Sequence, residues 1–294
     1  MQSEVSPRFR RMACNTLLGM MALLTVSGAC APDAAAETTL RIHLTARNPH
    51  PHTLQGAIVR FFAPIASAAE HELIKAEVNH PYQTEVDAYG NRAIVIALAD
   101  LAPYSLRPIS MTFTVRDKPA SQAVNAPPAA YVSEEALIES TDPEIVALSQ
   151  QLAGRTPVEV ARNAQQWIVD NLNYAGYQPF EAGALAALRM RRGDCTEYAY
   201  LFAALMRARG IPARVLGGYV APSSRIVKPL EYHNWVEFHA EGKWQLADPQ
   251  RNVFMKDTGD YIAMRIVVRG KNMPASPYPH RFSVDSNEVE LLME

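Results

Sequence analysis

Hydrophobic and polar residues alternate along the first part of the chain after residue 37. Leu40, Ile42, Leu44 and Ala46 lie two residues apart with polar side chains between them, which predicts a strand with one buried face. Further short apolar segments, separated by turn-forming residues, follow at 57–62, 93–98 and 109–115. This pattern predicts an all-β sandwich over residues 37–116.

Helical signals begin only after a segment that reads as a linker. Residues 117–140 hold several prolines and alanines without a sustained hydrophobic period, which is typical of a linker. Thr156-Pro157-Val158-Glu159 is a capping box with proline at the first helical position, so a helix is expected to begin there. Asp194-Cys195-Thr196-Glu197 repeats that start signal, and Gly210 is expected to end the second helix.

Strand-like segments dominate the remainder of the chain. They are expected at 213–220, 233–239 and 243–248. Two later segments, 261–268 and 282–292, are expected to add strands to the same sheet.

The N-terminus has the pattern of an export signal. Arg8, Arg10 and Arg11 precede an apolar stretch, Met12 to Val26, that is shorter than the ~20 residues needed to span a bilayer. Residues 1–30 are therefore predicted to be a signal peptide. The segment 26–30 resembles a lipobox, in which Cys30 would be lipidated, although Ser27 stands where leucine is usual. Cleavage after Ala36 is the alternative.

The charge of the chain argues against a nucleic-acid partner. Removal of residues 1–30, with three Arg and one Glu, changes the formal charge from −2 to −4 and leaves no basic stripe. Four histidines of the N-terminal region have no spacing typical of metal ligands: His50, His52, His71 and His80. No cofactor is expected.

Cysteine usage draws attention to Cys195. Cys14 leaves with the signal and Cys30 is lipidated or removed, so Cys195 remains without an intramolecular disulfide partner. Its place in the first turn of a helix predicts that unpaired N–H groups and the helix dipole lower the pKa of the thiol. A small buried structural cysteine is the alternative.

The hairpin at 233–248 brings a base and a carboxylate together. If Glu241-Gly242 is a two-residue turn, Ala240 pairs with Lys243, and His233 and Asp248 become diagonal neighbours on one face, roughly 7–8 Å apart by backbone. An aspartate in that position can hold one imidazole tautomer. A three-residue turn would separate them.

These residues resemble the signature of the transglutaminase-like superfamily. The resemblance covers roughly 141–255, and its blocks are 193–199, 210–215, 233–237 and 244–249. It implies an α+β fold, with a papain-like transglutaminase core (141–294) preceded by an all-β immunoglobulin-like sandwich. It also implies that Cys195 is the nucleophile, His233 the general base and acid, and Asp248 the orienting carboxylate.

The activity implied is acyl transfer on a protein or peptide amide through a thioester. Hydrolysis, as in a cysteine protease or deamidase, and transfer to an amine, as in a transglutaminase, both remain open. A non-catalytic binding or scaffold protein with the same fold is the alternative. The second oxyanion donor, often aromatic or amide in this family, is not assigned. The expected location is the periplasm or the outer membrane of a Gram-negative bacterium, with membrane contact only through a lipid on Cys30.

Overall fold

The structure, a computed structural model, describes residues 37–65, 71–117, 129–152, 154–271 and 281–294. The predicted signal peptide, including Cys30, and residues 118–128 of the predicted linker lie outside these residues. Among the described residues, no helix is long and apolar enough to cross a membrane.

The helices lie between the two β-rich parts of the chain. They are α1 (Pro143–Gln151), α2 (Pro157–Asn171), α3 (Ala184–Met190) and α4 (Cys195–Ala208). Thr156 caps α2, accepting a hydrogen bond from the N–H of Glu159 at 3.2 Å, so the predicted capping signal is confirmed. Every residue of α4 from Thr196 to Arg207 is buried, which makes it the central helix of the core.

The strands number sixteen among the described residues. They are β1 (Glu37–Arg47), β2 (Ile58–Ala63), β3 (His71–Val78), β4 (Gln83–Val86), β5 (Arg92–Ala97), β6 (Leu106–Asp117), β7 (Asn173–Tyr174), β8 (Arg192–Gly193), β9 (Ala213–Val220), β10 (Arg225–Ile226), β11 (Tyr232–Ala240), β12 (Lys243–Asp248), β13 (Val253–Phe254), β14 (Tyr261–Val267), β15 (Phe282–Val284) and β16 (Glu290–Met293).

Two sheets form the predicted sandwich. One has the order β10-β1-β6-β3, with β16 also paired to β1, and the other has the order β15-β2-β5-β4. Alternate residues of β1 and β6 meet those of β2 and β5 in one apolar core, which includes Leu40, Ile42, Phe61 and Phe113. The α+β class and the β-rich N-terminal region are confirmed, and β10, β15 and β16 add strands from outside residues 37–116 to these two sheets. Strands β3 and β4 were not predicted, because most of their side chains are exposed or half-buried and the apolar alternation is weak.

The third sheet carries the helices on one face. Its order is β13-β12-β11-β9-β14, and α4 packs on it through a core that includes Phe202, Leu205, Val215 and Phe238. Burial of these large side chains fixes the helix against β9 and β11. The start of α4 and the hairpin β11–β12 are thereby held together.

The C-terminal strands divide between the two parts of the fold. Strand β14 joins the third sheet through β9, as predicted, but β15 pairs with β2 and β16 pairs with β1. The expectation that the 282–292 region adds to the third sheet is therefore wrong. Phe282 and Leu291 pack against the sandwich core, which explains where these strands gain their burial.

The sandwich and the third sheet form one unit, Ala35–Glu294. The Asn91 side chain, which is fully buried, accepts from the N–H of Ile266 at 2.6 Å and donates to its carbonyl at 2.9 Å. The sandwich core also includes Tyr219 of β9 and Ile262 of β14. A loop of the sandwich thus completes the hydrogen bonding of the outer strand of the third sheet.

Candidate active site

Cys195 is the first residue of α4, as the capping signature predicts. The Asp194 carboxylate accepts a hydrogen bond from the N–H of Thr196 at 2.8 Å, and the Glu197 carboxylate accepts one from the N–H of Asp194 at 3.0 Å. Gly193 is needed before them, because a Cβ there would lie 2.3 Å from the Cβ of Glu197. These contacts fix the helix start, and with it the backbone that carries the thiol.

His233 and Asp248 meet across the hairpin of β11 and β12. Ala240 pairs with Lys243 across the loop 241–242, whose residues have φ of 53° and 77°, as a two-residue type I′ turn requires. The predicted register is confirmed. It places His233 Nε2 2.6 Å from Asp248 Oδ2. Because a carboxylate only accepts, Nε2 carries the proton in this contact.

Asp248 has two further donors. The Tyr261 hydroxyl donates to Oδ2 at 2.8 Å and the N–H of Arg251 donates to Oδ1 at 3.1 Å. Asp248 is fully buried, so these donors compensate for its lost hydration. Burial, followed by the charge of Asp248, raises the pKa of Tyr261 and keeps its phenol a donor. Sequence reasoning missed Tyr261, since its only signal is its position at the start of a predicted strand.

The Cys195 thiol lies beside the strand that carries His233. It contacts the backbone N–H of Asn234 and the hydroxyl of Thr196. The Asn234 amide donates to Thr196 Oγ1 at 2.9 Å and so ties β11 to the start of α4. Since Asp248 occupies Nε2 of His233, Nδ1 is the ring nitrogen left to exchange a proton with the thiol. The fold thus places Cys195 against the strand that carries His233 and within electrostatic reach of Asp248.

The pKa of the Cys195 thiol moves in the opposite direction to the one predicted. Burial, followed by the charge of Asp194, raises it to about 12, while the Asn234 N–H and the Thr196 hydroxyl lower it by less. The predicted decrease is therefore wrong. Loss of hydration in the cleft outweighs the favourable position at a helix start. The resting side chain is a neutral thiol, so its attack requires a base.

Comparison with known proteins agrees with the resemblance in the sequence. Residues 146–249 match the model of the transglutaminase-like superfamily. We call this matched segment the transglutaminase-like core. It includes Cys195 and His233, and Asp248 lies one residue before its end.

A relative and two solved structures extend the comparison. An uncharacterized protein of Mycobacterium leprae is 29% identical over 128 residues, which cover 42% of this chain and 45% of that protein, less than half of its length. A proposed cysteine protease from Cytophaga hutchinsonii has a TM-score of 0.62 at 17% identity, with 89% of this chain and 91% of that chain covered. The fold is thus shared across the sandwich and the transglutaminase-like core. The periplasmic domain of TgpA from Pseudomonas aeruginosa has a TM-score of 0.40 at 18% identity, with 74% and 90% covered.

The transglutaminase-like core offers donors for an oxyanion. The N–H of Cys195, at the helix start, is one. The Gln178 amide already donates to the carbonyls of its own loop, 175–177, at 3.1 to 3.3 Å. The phenol of Tyr174 is a candidate for the second oxyanion donor. Its pKa is raised by burial and then by the charges of Cys195 and Asp194, so the phenol lies near the thiol. Its only sequence signal was its place just after α2.

A cleft of about 630 Å³ opens beside Cys195. This volume suits a side chain with a short stretch of peptide. Its rim holds the exposed apolar side chains of Tyr177, Phe180 and Leu230. Its walls include the polar side chains of Glu181, Asn234, Tyr232, Arg265, Arg269 and Arg281.

The histidines of the sandwich are apart from this cleft. His50 stacks on His52 with ring centroids 5.3 Å apart, and His71 lies 3.3 Å from the Asp117 carboxylate. Within the described ranges, no group of three or more His, Cys, Asp or Glu side chains could hold a metal ion.

Proposed function

We propose that this chain is an exported thiol acyl-transfer enzyme acting on amides of proteins or peptides. Cys195 is the nucleophile, His233 the general base and acid, and Asp248 the orienting carboxylate. The observation that carries the proposal is the contact of 2.6 Å between His233 Nε2 and Asp248 Oδ2, next to a thiol held at a helix start. The transglutaminase-like core supports the same assignment.

In the first half-reaction, His233 Nδ1 takes the proton of the Cys195 thiol as the sulfur attacks the carbonyl carbon of the amide. Asp248 stabilises the imidazolium that forms. When the tetrahedral intermediate collapses, the C–N bond breaks and the same Nδ1–H protonates the leaving amine. A thioester on Cys195 remains.

In the second half-reaction, water or an amine gives a proton to His233 and attacks the thioester. The C–S bond breaks, and the sulfur recovers the proton from the imidazolium. Water gives hydrolysis, whereas a lysine amine gives a cross-link. The choice depends on how well the occupied cleft excludes water.

Tyr174 is the proposed second oxyanion donor, beside the N–H of Cys195. The commitment of the Gln178 amide to its own loop favours the phenol over the amide. Replacing Tyr174 by Phe removes only the hydroxyl and should reduce kcat by about 10²- to 10³-fold without a matching change in KM. An unchanged kcat would exclude this role.

Dimethylcasein with dansylcadaverine tests the reaction, with Cys195→Ala as the matched control. Dansyl incorporation that depends on Cys195 identifies amine transfer, release of ammonia without label identifies deamidation, and new fragments identify proteolysis. If wild-type protein and Cys195→Ala give the same result in all three readouts, and Cys195 is unreactive as well, the enzyme proposal fails and the scaffold alternative stands.

Export with lipidation at Cys30 is a separate part of the proposal. It is supported by the basic residues 8–11, the apolar stretch 12–26 and the lipobox-like segment 26–30. In a Gram-negative host, wild-type protein should incorporate labelled palmitate and fractionate with membranes, whereas Cys30→Ser should not. A mature N-terminus at residue 37 without a lipid would favour cleavage after Ala36.

A further inference from the structure

The cleft beside Cys195 has an excess of positive charge. Among the described residues, its charged side chains are three arginines and two carboxylates, Glu181 and Asp194. Both carboxylates are engaged: Glu181 pairs with Arg269, and Asp194 accepts hydrogen bonds from two backbone N–H groups. An anionic group of a substrate would therefore find a cationic wall and little competition from neighbouring carboxylates.

Arg281 is the arginine whose described contacts leave its charge uncompensated. Its Nη1 donates to the Pro229 carbonyl at 2.5 Å, and its guanidinium carbon lies 5.4 Å from the Tyr232 ring centroid and 5.3 Å from that of Phe282. A carbonyl and two aromatic rings orient the guanidinium without neutralising it. The remaining N–H groups are the kind of donors that bind carboxylates.

Two polar atoms in the same cleft lack a hydrogen-bond partner within the described part of the chain. They are the Tyr232 hydroxyl and Asn234 Oδ1, both buried. Both pack at Gly217, where a Cβ would lie 2.1 Å from the hydroxyl and 2.8 Å from Oδ1. These contacts hold both side chains firmly in the cleft wall, and the Tyr232 ring is one of the two on which the Arg281 guanidinium packs.

We propose that Arg281 and Tyr232 form a subsite for a carboxylate of the substrate, beside the amide that Cys195 attacks. The carboxylate accepts from the guanidinium, which the Tyr232 ring helps to orient, while the exposed Phe180 and Leu230 contact an apolar part of the same substrate. Its source is either an acidic side chain or the C-terminal carboxylate of a peptide. This inference rests on the proposed function and names the chemical class of its substrate.

Chloroacetyl amino acids test the subsite because their labelling of Cys195 needs no known substrate. The probes are chloroacetyl-glutamic acid α-amide, its glutamine counterpart, and chloroacetyl-leucine with a free or an amidated carboxyl group. Labelling rates from intact mass, each divided by the rate for N-acetylcysteine, give an acid-to-amide ratio. The wild-type ratio should be roughly 10 to 100 for the pair that matches the subsite, as expected for one charge-assisted hydrogen-bonded contact. The pair with the higher ratio identifies the carboxylate source.

Variants of Arg281 make the test specific. Arg281→Gln can still donate to the Pro229 carbonyl but has no charge, so its ratio should fall to about 1, whereas Arg281→Lys should keep most of the preference. Tyr232→Phe keeps the ring that orients Arg281 and should therefore keep most of the preference. Arg107→Met, an exposed arginine of the sandwich, is the matched control and should leave the ratio unchanged. Thermal unfolding establishes that each variant is folded.

The outcomes separate the subsite from the catalytic proposal. Suppose that the reaction of Cys195 with the neutral probes depends on His233. If wild type then shows no preference for the acid probes, or if Arg281→Gln shows the same preference as wild type, the subsite is excluded and the enzyme proposal stands. If no probe labels Cys195 faster than the variant lacking His233, both proposals fail.

Discussion

Replacing His233 by Asn should expose the chemical consequence of burying the Cys195 thiol. Burial raises the pKa of the thiol to about 12, compared with 9.0 for an ordinary thiol. Without a base, the thiolate fraction at pH 7 is then about one thousandth of that of a free thiol, since each pH unit is a factor of ten. Because the thiolate is the nucleophile, iodoacetamide should alkylate Cys195 in this variant about a thousandfold more slowly than N-acetylcysteine.

Wild-type protein should react faster than this variant because His233 removes the proton as the sulfur attacks. General-base assistance is typically worth about 10²- to 10⁴-fold, so the two rates should differ by at least two orders of magnitude. Intact-mass spectrometry at pH 7 measures both rates. In the variant, the rate should also rise about tenfold for each pH unit, whereas wild type should depend less on pH.

His239→Asn is the matched control for that experiment. His239 lies on the same strand, and its ring packs edge-on against Trp244 with centroids 5.5 Å apart. Its replacement should leave alkylation unchanged. If His233→Asn reacts as fast as a free thiol, the argument from burial is refuted. If wild type is as slow as the variant, His233 does not act on Cys195 and the enzyme proposal is lost.

Three further predictions concern the support of the site. Tyr261→Phe removes one donor from buried Asp248 and should lower the free energy of unfolding by about 1.5–3 kcal/mol, measured by chemical denaturation, together with a slower alkylation of Cys195. Glu135 forms a fully buried ion pair with Arg207 at 2.7 Å, and Glu135→Leu leaves that guanidinium without its carboxylate. The substitution should lower the free energy of unfolding by about 3–5 kcal/mol and Tm by about 6–20 °C in a thermal scan. Between about pH 9 and 12 the folded thiol keeps its proton while the unfolded thiol releases it, so the wild-type protein loses stability as the pH rises through this window. Cys195→Ala removes the thiol and should therefore lose less stability over the same window.

Each of these predictions has an outcome that contradicts it. Full stability and reactivity in Tyr261→Phe would mean that its hydroxyl is not needed by Asp248. Glu135→Leu combined with Arg207→Met should be less destabilised than the single variant, and strictly additive costs would show that the ion pair is not coupled. A stability profile of Cys195→Ala that parallels wild type from pH 9 to 12 would contradict the raised thiol pKa.

The features predicted correctly from the sequence depend on residues close together in the chain. The cap at Asp194 and Glu197 spans one helical turn, and the loop 241–242 sets the register that brings His233 to Asp248. The alternation in β1 and β6 likewise gives each strand its buried face. Such signals can be read without knowing the rest of the fold.

Other features depend on contacts between distant segments. Tyr261 reaches Asp248 only because β14 pairs with β9, and Arg281 enters the cleft only because β15 pairs with β2 of the sandwich. The segment 282–292 has a strand pattern, but that pattern does not say which sheet it joins. The sequence therefore pointed to the three residues that are proposed to react, and it did not predict Tyr261 and Arg281, which lie beside them.

The thiol of Cys195 shows the difference most clearly. Its position at a helix start, its separation from other cysteines and the turn that aligns its partners are all properties of the sequence. The tertiary structure decided the direction in which its pKa shifts, because packing against β11 and the loop before α4 removes water from the sulfur. A local sequence pattern specifies which dipoles and charges lie near the thiol. Only the packed fold determines how much water remains to stabilise the thiolate.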